Sequence, residues 1–313
     1  MLETNKIYQG DCLEVMKDIP DKSVDMILCD LPYGVMDSKW DKEINLNDLW
    51  KEYRRIIKEY GVLVLFGNNV FSFKLTIPAI DLFKYKYVWI KTNSTMFVHS
   101  KNRPLVKHED ILVFSKASMG HKSLLGDKRM PYNPQDLIHF GKKIKKGNGR
   151  FGKYIGNRPS HQDEITREFT NYPCDVLECQ ENIGIAKLHT SQKPLELCKF
   201  LIKTYSNEGD LVLDNCIGSG TTALSCKQTN RNFIGIEIDE NFVKISEDRL
   251  KQQVLSNSIV PPSNSATQVS KADEHNMRYQ ETSDEVSQIP NGTSLNSDII
   301  RNPATQDLNP TNL

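Results

Sequence analysis

The 313-residue chain has no apolar run of membrane-spanning length; runs such as Val62-Leu63-Val64-Leu65-Phe66 are strand-sized. No Cys-x-x-Cys pair occurs among its seven cysteines, which removes the commonest zinc and dithiol patterns. It shows no secretory signal, so a reducing cytosol is the expected compartment. An excess of one charge is also lacking. Lys plus Arg and Asp plus Glu are both 40, so global charge selects no partner. Aromatic residues are scarce in 254–313, where Ser, Asn, Gln, Thr and Pro prevail and 3 basic residues face 7 acidic ones. Such a segment cannot bury enough apolar surface to order itself and reads as a disordered polar tail. The remaining ~250 residues suffice for one α/β core carrying an insertion.

Within that core, Val24-Asp25-Met26-Ile27-Leu28-Cys29 is an aliphatic run that stops at Asp30-Leu31-Pro32-Tyr33-Gly34. The run reads as a buried parallel strand, and the proline starts a turn of fixed φ. Leu31, preceding a proline, is pushed towards extended geometry. Asp30 and Tyr33 are therefore delivered to the carboxyl edge of a sheet, where open α/β folds bind ligands. A carboxylate and a neighbouring carbonyl accept hydrogen bonds, and a tyrosine offers a flat face. Together they suit a planar heterocycle with an exocyclic amino group. Alone, the segment is equally an ordinary Asp-x-Pro turn.

A second unit lies at 209–239. The strand Asp210-Leu211-Val212-Leu213 ends at Asp214, Asn215-Cys216-Ile217 lead into Gly218-Ser219-Gly220, and a helix starts at Thr221. Glycines let backbone approach a ligand, and a helix N-terminus offers free N–H groups to an anionic portion of it. The next strand carries Glu237, about 20 residues beyond the glycines, the spacing at which a carboxylate holds ribose hydroxyls. Asp214, Cys216, Gly218, Ser219, Gly220, Thr221 and Glu237 are thus candidate residues for a nucleoside-containing cofactor.

The two units, with His189-Thr190-Ser191-Gln192-Lys193-Pro194 between them, resemble the amino-methylating DNA methyltransferases, the N6-adenine and N4-cytosine family. Asp30-Leu31-Pro32-Tyr33 stands where that family has Asp-Pro-Pro-Tyr, and the linking segment is similar to its His-Pro-Thr-Gln-Lys-Pro. The order, catalytic motif before cofactor loop, resembles the β group. Leu31 departs from the first proline, and Thr190 and Ser191 depart mildly.

The resemblance implies an α/β, circularly permuted Rossmann-like fold that uses S-adenosyl-L-methionine, with an inserted target-recognition region. It implies catalytic roles for Asp30, Leu31, Pro32 and Tyr33. It also implies cofactor contacts from Asp11, Asp30, Thr190, Gln192 and Lys193, with Lys193 a cation for the methionine carboxylate. Asp11 has a second reading as a helix N-cap. His189 reads as a structural or loop histidine. The implied partner is double-stranded DNA, and the implied setting is cytoplasmic, in a prokaryote or a phage. A homodimer and a companion restriction endonuclease are left open.

Periodicity predicts helices over 12–19, 47–60 (ended by Gly61), 69–80 (broken near Pro78), 196–205 and 240–253. Strands are predicted at 6–11, 62–67, 87–91, 109–114 and 232–239. The expected divisions are a catalytic half at 1–116, the recognition insertion at 117–185, a cofactor-binding half at 186–253, and the tail.

Residues 101–168 hold 15 Lys and Arg against 7 Asp and Glu. Lys142, Lys143, Lys145, Lys146 and Arg150 lie in a glycine-rich stretch with interleaved aromatics, and Lys101 and Arg103 form a second patch. Basic loops of this kind neutralise phosphates, though a solvated surface loop has the same composition. Pro173-Cys174 resembles the nucleophilic Pro-Cys of cytosine-C5 methyltransferases but follows no suitable strand. Cys174 and Cys179 with His161 or His189 match no common zinc spacing.

The amino nitrogen of a base is a poor nucleophile, because its lone pair is delocalised into the ring. Asp30 and the Leu31 carbonyl would accept its hydrogens while Tyr33 stacks on the ring. Direct transfer then needs no covalent enzyme intermediate and no metal. The base would have to be flipped out of the duplex. Adenine is the expected target, since the family pairs Asp at this place mainly with adenine and Ser with cytosine. A protein-glutamine or RNA methyltransferase would usually carry Asn first, with the cofactor loop ahead of it. A non-catalytic nucleic-acid-binding module could keep the fold but would have no need of Asp30, Tyr33 and Glu237.

Overall fold

The computed structural model describes residues 2–34, 43–145, 164–179 and 192–259. Ten strands and seven α-helices lie within them. In chain order the first are β1 (Lys6–Gln9), α1 (Cys12–Met16), β2 (Val24–Cys29), α2 (Leu46–Ile56), β3 (Ile57–Gly67), α3 (Asn69–Thr76), β4 (Phe83–Thr95) and β5 (Val106–Ser115). There follow α4 (Lys122–Leu125), β6 (Ile138–Lys145), β7 (Glu164–Thr170), β8 (Val176–Glu178) and α5 (Leu195–Tyr205). The last are β9 (Leu211–Asp214), α6 (Thr221–Gln228), β10 (Asn232–Glu237) and α7 (Glu240–Ile259).

Eight strands form one sheet in the order β1-β10-β9-β2-β3-β5-β4-β8. Only the β3–β5 and β5–β4 pairs are antiparallel, so β5 alone runs against the rest. β1 pairs with β10, Gln9 opposite Glu237. The first of the described strands is thus seated beside the last of them, as a circular permutation requires. β2 sits in the middle, between β9 and β3.

Side chains alternate across β2. Ile27 and Cys29 enter a core under α1, α2 and α3, whereas Met26 and Leu28 enter one under α5 and α6. The result is a sheet with helices on both faces, each strand side buried, which is why β2 reads as nearly continuous apolar sequence. α2 presents Leu49, Trp50, Tyr53 and Ile56 to the first core, and α5 presents Leu197, Leu201, Ile202 and Tyr205 to the second.

Several expected boundaries move. The helix expected to run to Gly61 stops at Ile56, and β3 begins at Ile57. Gly61 is needed for a different reason: a Cβ there would stand 2.8 Å from the Asp25 carbonyl oxygen on the neighbouring strand. The helix before Pro78 ends at Thr76 and tightens into a 3₁₀ turn at Ile77–Ala79. α1 ends at Met16, three residues early, and α7 runs to Ile259, six residues into the stretch read as tail. Residues 260–313 lie outside the described residues.

The stretch expected as a separate insertion divides. β6 and β7 make their own antiparallel pair, while β8 joins the main sheet beside β4 and Met130 enters the second core. No helix among the described residues is long and apolar enough to cross a membrane.

Candidate functional site

β2 ends at Cys29, and the chain turns across the carboxyl edge of the sheet through Asp30, Leu31, Pro32 and Tyr33. Leu31 is 3% exposed and packs in the first core. Its buried side chain fixes this turn where the family pattern uses a proline ring. The Tyr33 hydroxyl donates to Asp30 Oδ1 at 3.3 Å, and its ring lies 4.5 Å from that of Phe71 at 35°. The structure therefore brings the four expected catalytic residues together.

Lys193 comes to the same carboxylate. Its Nζ donates to Asp30 Oδ2 at 2.7 Å, stands 3.1 Å from Glu109 Oε2, and lies 4.9 Å from the Phe66 ring centroid. Two carboxylates and an aromatic face thus surround the ammonium. This cation, expected to meet the methionine carboxylate of the cofactor, is here paired with Asp30 and Glu109. Lys91 Nζ donates in turn to Glu109 Oε1 at 2.8 Å. The result is an alternating row, Lys91–Glu109–Lys193–Asp30, of two cations and two anions.

Burial pushes the Asp30 carboxyl above the usual carboxylate range, Lys193 opposes that, and Glu109 adds to it. Glu109 is held below its ordinary value: burial would raise it, but Lys193 and Lys91 outweigh that. Lys193 is pushed well up; burial would lower it, but the two carboxylates prevail.

The other edge is built on β9, the glycine turn and β10. Asp214 is 5% exposed. Burial pushes its carboxyl up to about 7, although Thr222 and the Cys216 N–H, at 3.1 Å, donate to it. Glu237 Oε2 accepts the Gly218 N–H at 2.8 Å and Oε1 the Asp239 N–H at 2.9 Å, while burial raises its carboxyl. One carboxylate thus pins the glycine turn to the end of β10.

Gly218 (φ +52°) and Gly220 (φ +81°) both adopt left-handed backbone. A Cβ on Gly220 would meet Ser246 Cβ at 2.7 Å, whereas one on Gly218 would meet nothing within 4 Å. Gly220 is dictated by packing against α7, and Gly218 leaves backbone open to an incoming group. Arg249, also on α7, donates to the Ser219 carbonyl, to Ser219 Oγ at 3.1 Å and to Thr221 Oγ1 at 3.3 Å. Ser219 Oγ donates to Gln192 Oε1 at 3.4 Å, which ties the linking segment to the turn. Cys216 packs beside the first core. Asp11 caps α1 through the Leu13 N–H at 2.8 Å, and Gly10 N–H donates to the Glu237 carbonyl at 2.9 Å, so Asp11 flanks Glu237. This set fits a nucleoside cofactor: an open glycine, a buried acid on the adjoining strand, and the start of α6. Thr190, with His189, lies outside the described residues.

Lys101 and Arg103 are exposed in the β4–β5 connection, which lies at the carboxyl edge because β4 runs parallel to β2. The stretch read as a basic loop starts instead as a strand. β6 carries Lys142, Lys143 and Lys145 opposite Arg167, Thr166 and Glu164 of β7, with a register shift near Gly141 (φ +62°). β-Pairing with Glu164–Thr170, a partner not recognisable in advance, makes 142–145 extended. Lys142 and Lys143 are exposed, and Lys146 and Arg150 lie outside the described residues.

Sequence reasoning missed Glu109, Lys91 and Arg249. The available signal for Glu109 was a charged pair, Glu109-Asp110, at the start of the apolar run Ile111-Leu112-Val113-Phe114. Only the reversal of β5 brings that start to the edge where Asp30 lies.

A family model described as DNA methylase, for the N6 and N4 amino-methylating enzymes, matches residues 24–248. The chain is 28% identical over 258 residues to the Type II methyltransferase M.HpaI of Haemophilus parainfluenzae, covering 79% of this chain and 74% of that protein. It is also 28% identical over 267 residues to the DNA adenine methyltransferase YhdJ of Escherichia coli K12, covering 79% and 83%. Its fold is similar to that of the PvuII DNA methyltransferase, a cytosine-N4-specific enzyme, with a TM-score of 0.55 at 16% identity over 80% of this chain and 89% of that one. The chain belongs to the amino-methylating DNA methylase family, which takes its methyl group from S-adenosyl-L-methionine.

Proposed function

We propose that the protein methylates the N6 amino group of a flipped adenine in double-stranded DNA at a specific sequence. The observation that carries this reading is the Asp30 carboxylate at the end of the central strand, paired with Lys193 at 2.7 Å and beside the Tyr33 ring. A carboxylate is the strongest acceptor a side chain can offer an amine. Asp30 and the Leu31 carbonyl accept the two N–H hydrogens and turn the nitrogen lone pair out of the ring plane. Tyr33 stacks on the base and holds it at attack distance. Asp30 takes up the proton that the nitrogen loses once the new bond has formed.

S-adenosyl-L-methionine supplies the methyl group as a sulfonium. Glu237 and Asp11 are read as holding its ribose and adenine. Asp214, Cys216, Gly218, Ser219, Gly220 and Thr221 line its path, and Gln192 steadies the turn. Lys101, Arg103 and the lysines of β6 are read as phosphate contacts, with 117–185 as the recognition region. The choice of adenine rests on Asp30, since cytosine presents a similar amino group. Sequencing of modified bases in a host expressing the protein tests it. N6-Methyladenine at one recurring short sequence is expected; N4-methylcytosine there instead would reassign the base.

A further inference from the structure

We propose that Glu109 is a positioning residue for methyl transfer, acting through Lys193 to set the catalytic carboxylate of Asp30; this rests on the reading of function above. Glu109, itself a carboxylate, makes no direct ion pair with Asp30. It reaches it by one intermediary, with Lys193 Nζ 3.1 Å from Glu109 Oε2 and 2.7 Å from Asp30 Oδ2.

Its place in the fold makes this possible. β5 runs against the other strands, so its first residues stand at the carboxyl edge where β2 ends. Glu109 pairs with Trp89 of β4, and Lys91, two residues on, points the same way and binds the other carboxylate oxygen. The side chains of Glu109, Lys91 and Lys193 are 13%, 10% and 11% exposed. Replacing buried charges of this kind by apolar side chains of similar size is often neutral or stabilising, so they are weak evidence of a purely structural role. Glu109 Oε2 is buried and its approach to Lys193 is an ion pair without an aligned hydrogen bond. A carboxylate kept there despite that cost serves geometry.

The geometry it serves is that of a lysine. An ammonium on a four-carbon stem has three rotatable donors and, with one partner, turns freely about it. The Glu109 charge and the Phe66 ring stand on other sides of the ammonium and draw Nζ to its position over Asp30 Oδ2. Oδ2 then accepts from Lys193 and Oδ1 from Tyr33, and each oxygen keeps a lone pair for an amino group held beside it. Placement is what Glu109 adds, because its own charge works against ionisation of Asp30.

The test compares wild type, Glu109→Gln, Lys193→Met and the double variant. Each is measured for methyl transfer to duplex DNA at saturating substrates and for S-adenosylmethionine binding by calorimetry. Glu109→Gln keeps the shape and loses the charge that holds Lys193. Its kcat is expected to fall at least tenfold with the cofactor Kd within threefold of wild type. In the Lys193→Met background the same change is expected to cost nothing further, since the intermediary is gone. The proposal is overturned by a kcat for Glu109→Gln within twofold of wild type, by an equal loss in cofactor affinity, or by a double variant slower than Lys193→Met by the full Glu109→Gln factor. Transfer by wild type separates the two readings: if wild type methylates DNA and Glu109→Gln is unimpaired, only the role of Glu109 falls. If wild type methylates no DNA, the function falls and takes this role with it.

Discussion

Lys193 Nζ and Asp30 Oδ2 meet at 2.7 Å although 163 positions separate the two residues. This ion pair joins the linking segment to the turn that follows β2. Lys193 lies one residue before Pro194, the N-cap of α5, and Asp30 follows β2 directly. The packing of α5 on the sheet therefore decides where the cation sits.

Asp30→Ala is expected to lower methyl transfer by about 100-fold or more, the scale on which one preorganised polar group in an active site counts. Cofactor binding should weaken by less than about tenfold, which is ~1.4 kcal/mol. Single-turnover kinetics together with calorimetric titration measure both. Near-normal turnover would remove Asp30 from catalysis.

Glu237→Ala should show the opposite split. Its carboxylate accepts the backbone N–H groups of Gly218 and Asp239, and leaving such a buried group unpaired costs about 1–3 kcal/mol. The cofactor Kd is expected to rise about tenfold or more, with kcat at saturation changed far less. An unchanged Kd would show that the glycine turn holds its shape without Glu237.

Asp214 gives a pH signature. Its folded-state pKa is about 7, above the value of an unfolded aspartate near 3.9. Between those values the folded state binds more protons than the unfolded one, so this group makes stability fall as pH rises from ~4 to ~7, then level off. Asp214→Asn removes that dependence. Its thermal midpoint, relative to wild type, should climb across the same window in the cofactor-free protein. A difference that is flat with pH would mean that Asp214 titrates normally.

The exposed lysines of β6 should act on affinity more than on sequence preference. Replacing Lys142 and Lys143 with alanine is expected to reduce the slope of log K against log salt by about 2, close to one for each phosphate no longer neutralised. Discrimination between cognate and altered sites should persist, because lysines on phosphates position the protein without reading bases. An unchanged slope would move the DNA path away from β6.

Much of this was legible in the chain. β2 and β9 are buried on both faces and so read as nearly continuous apolar runs followed by acids, which placed Asp30 and Asp214 at strand ends from residue order alone. Turn chemistry identified Gly218 and Gly220. The boundary between α2 and β3 was not legible, because the five residues from Ile57 to Gly61 continue a helical pattern, and only the close approach of Asp25 shows what Gly61 is for. Lys193 was singled out, but its ion pairs with Asp30 and Glu109 were not foreseen, since motif spacing carries no information on which carboxylates lie within reach of its Nζ. Glu109 was invisible for a similar reason: its role depends on the direction of β5 and on Lys91, two strands' worth of pairing that no local pattern encodes. Arg249 acts through tertiary packing alone, from a helix whose sequence looks merely solvated.

The central claim, amino-directed methylation of adenine by the Asp30 edge, is tested most directly by mass analysis of nucleosides. Duplex DNA is incubated with wild type or Asp30→Ala and isotopically labelled S-adenosylmethionine, then digested and separated. Label in N6-methyladenosine with wild type, and its loss with Asp30→Ala despite retained cofactor binding, is the predicted result. Label in N4-methylcytidine alone, or equal label from both proteins, would contradict it.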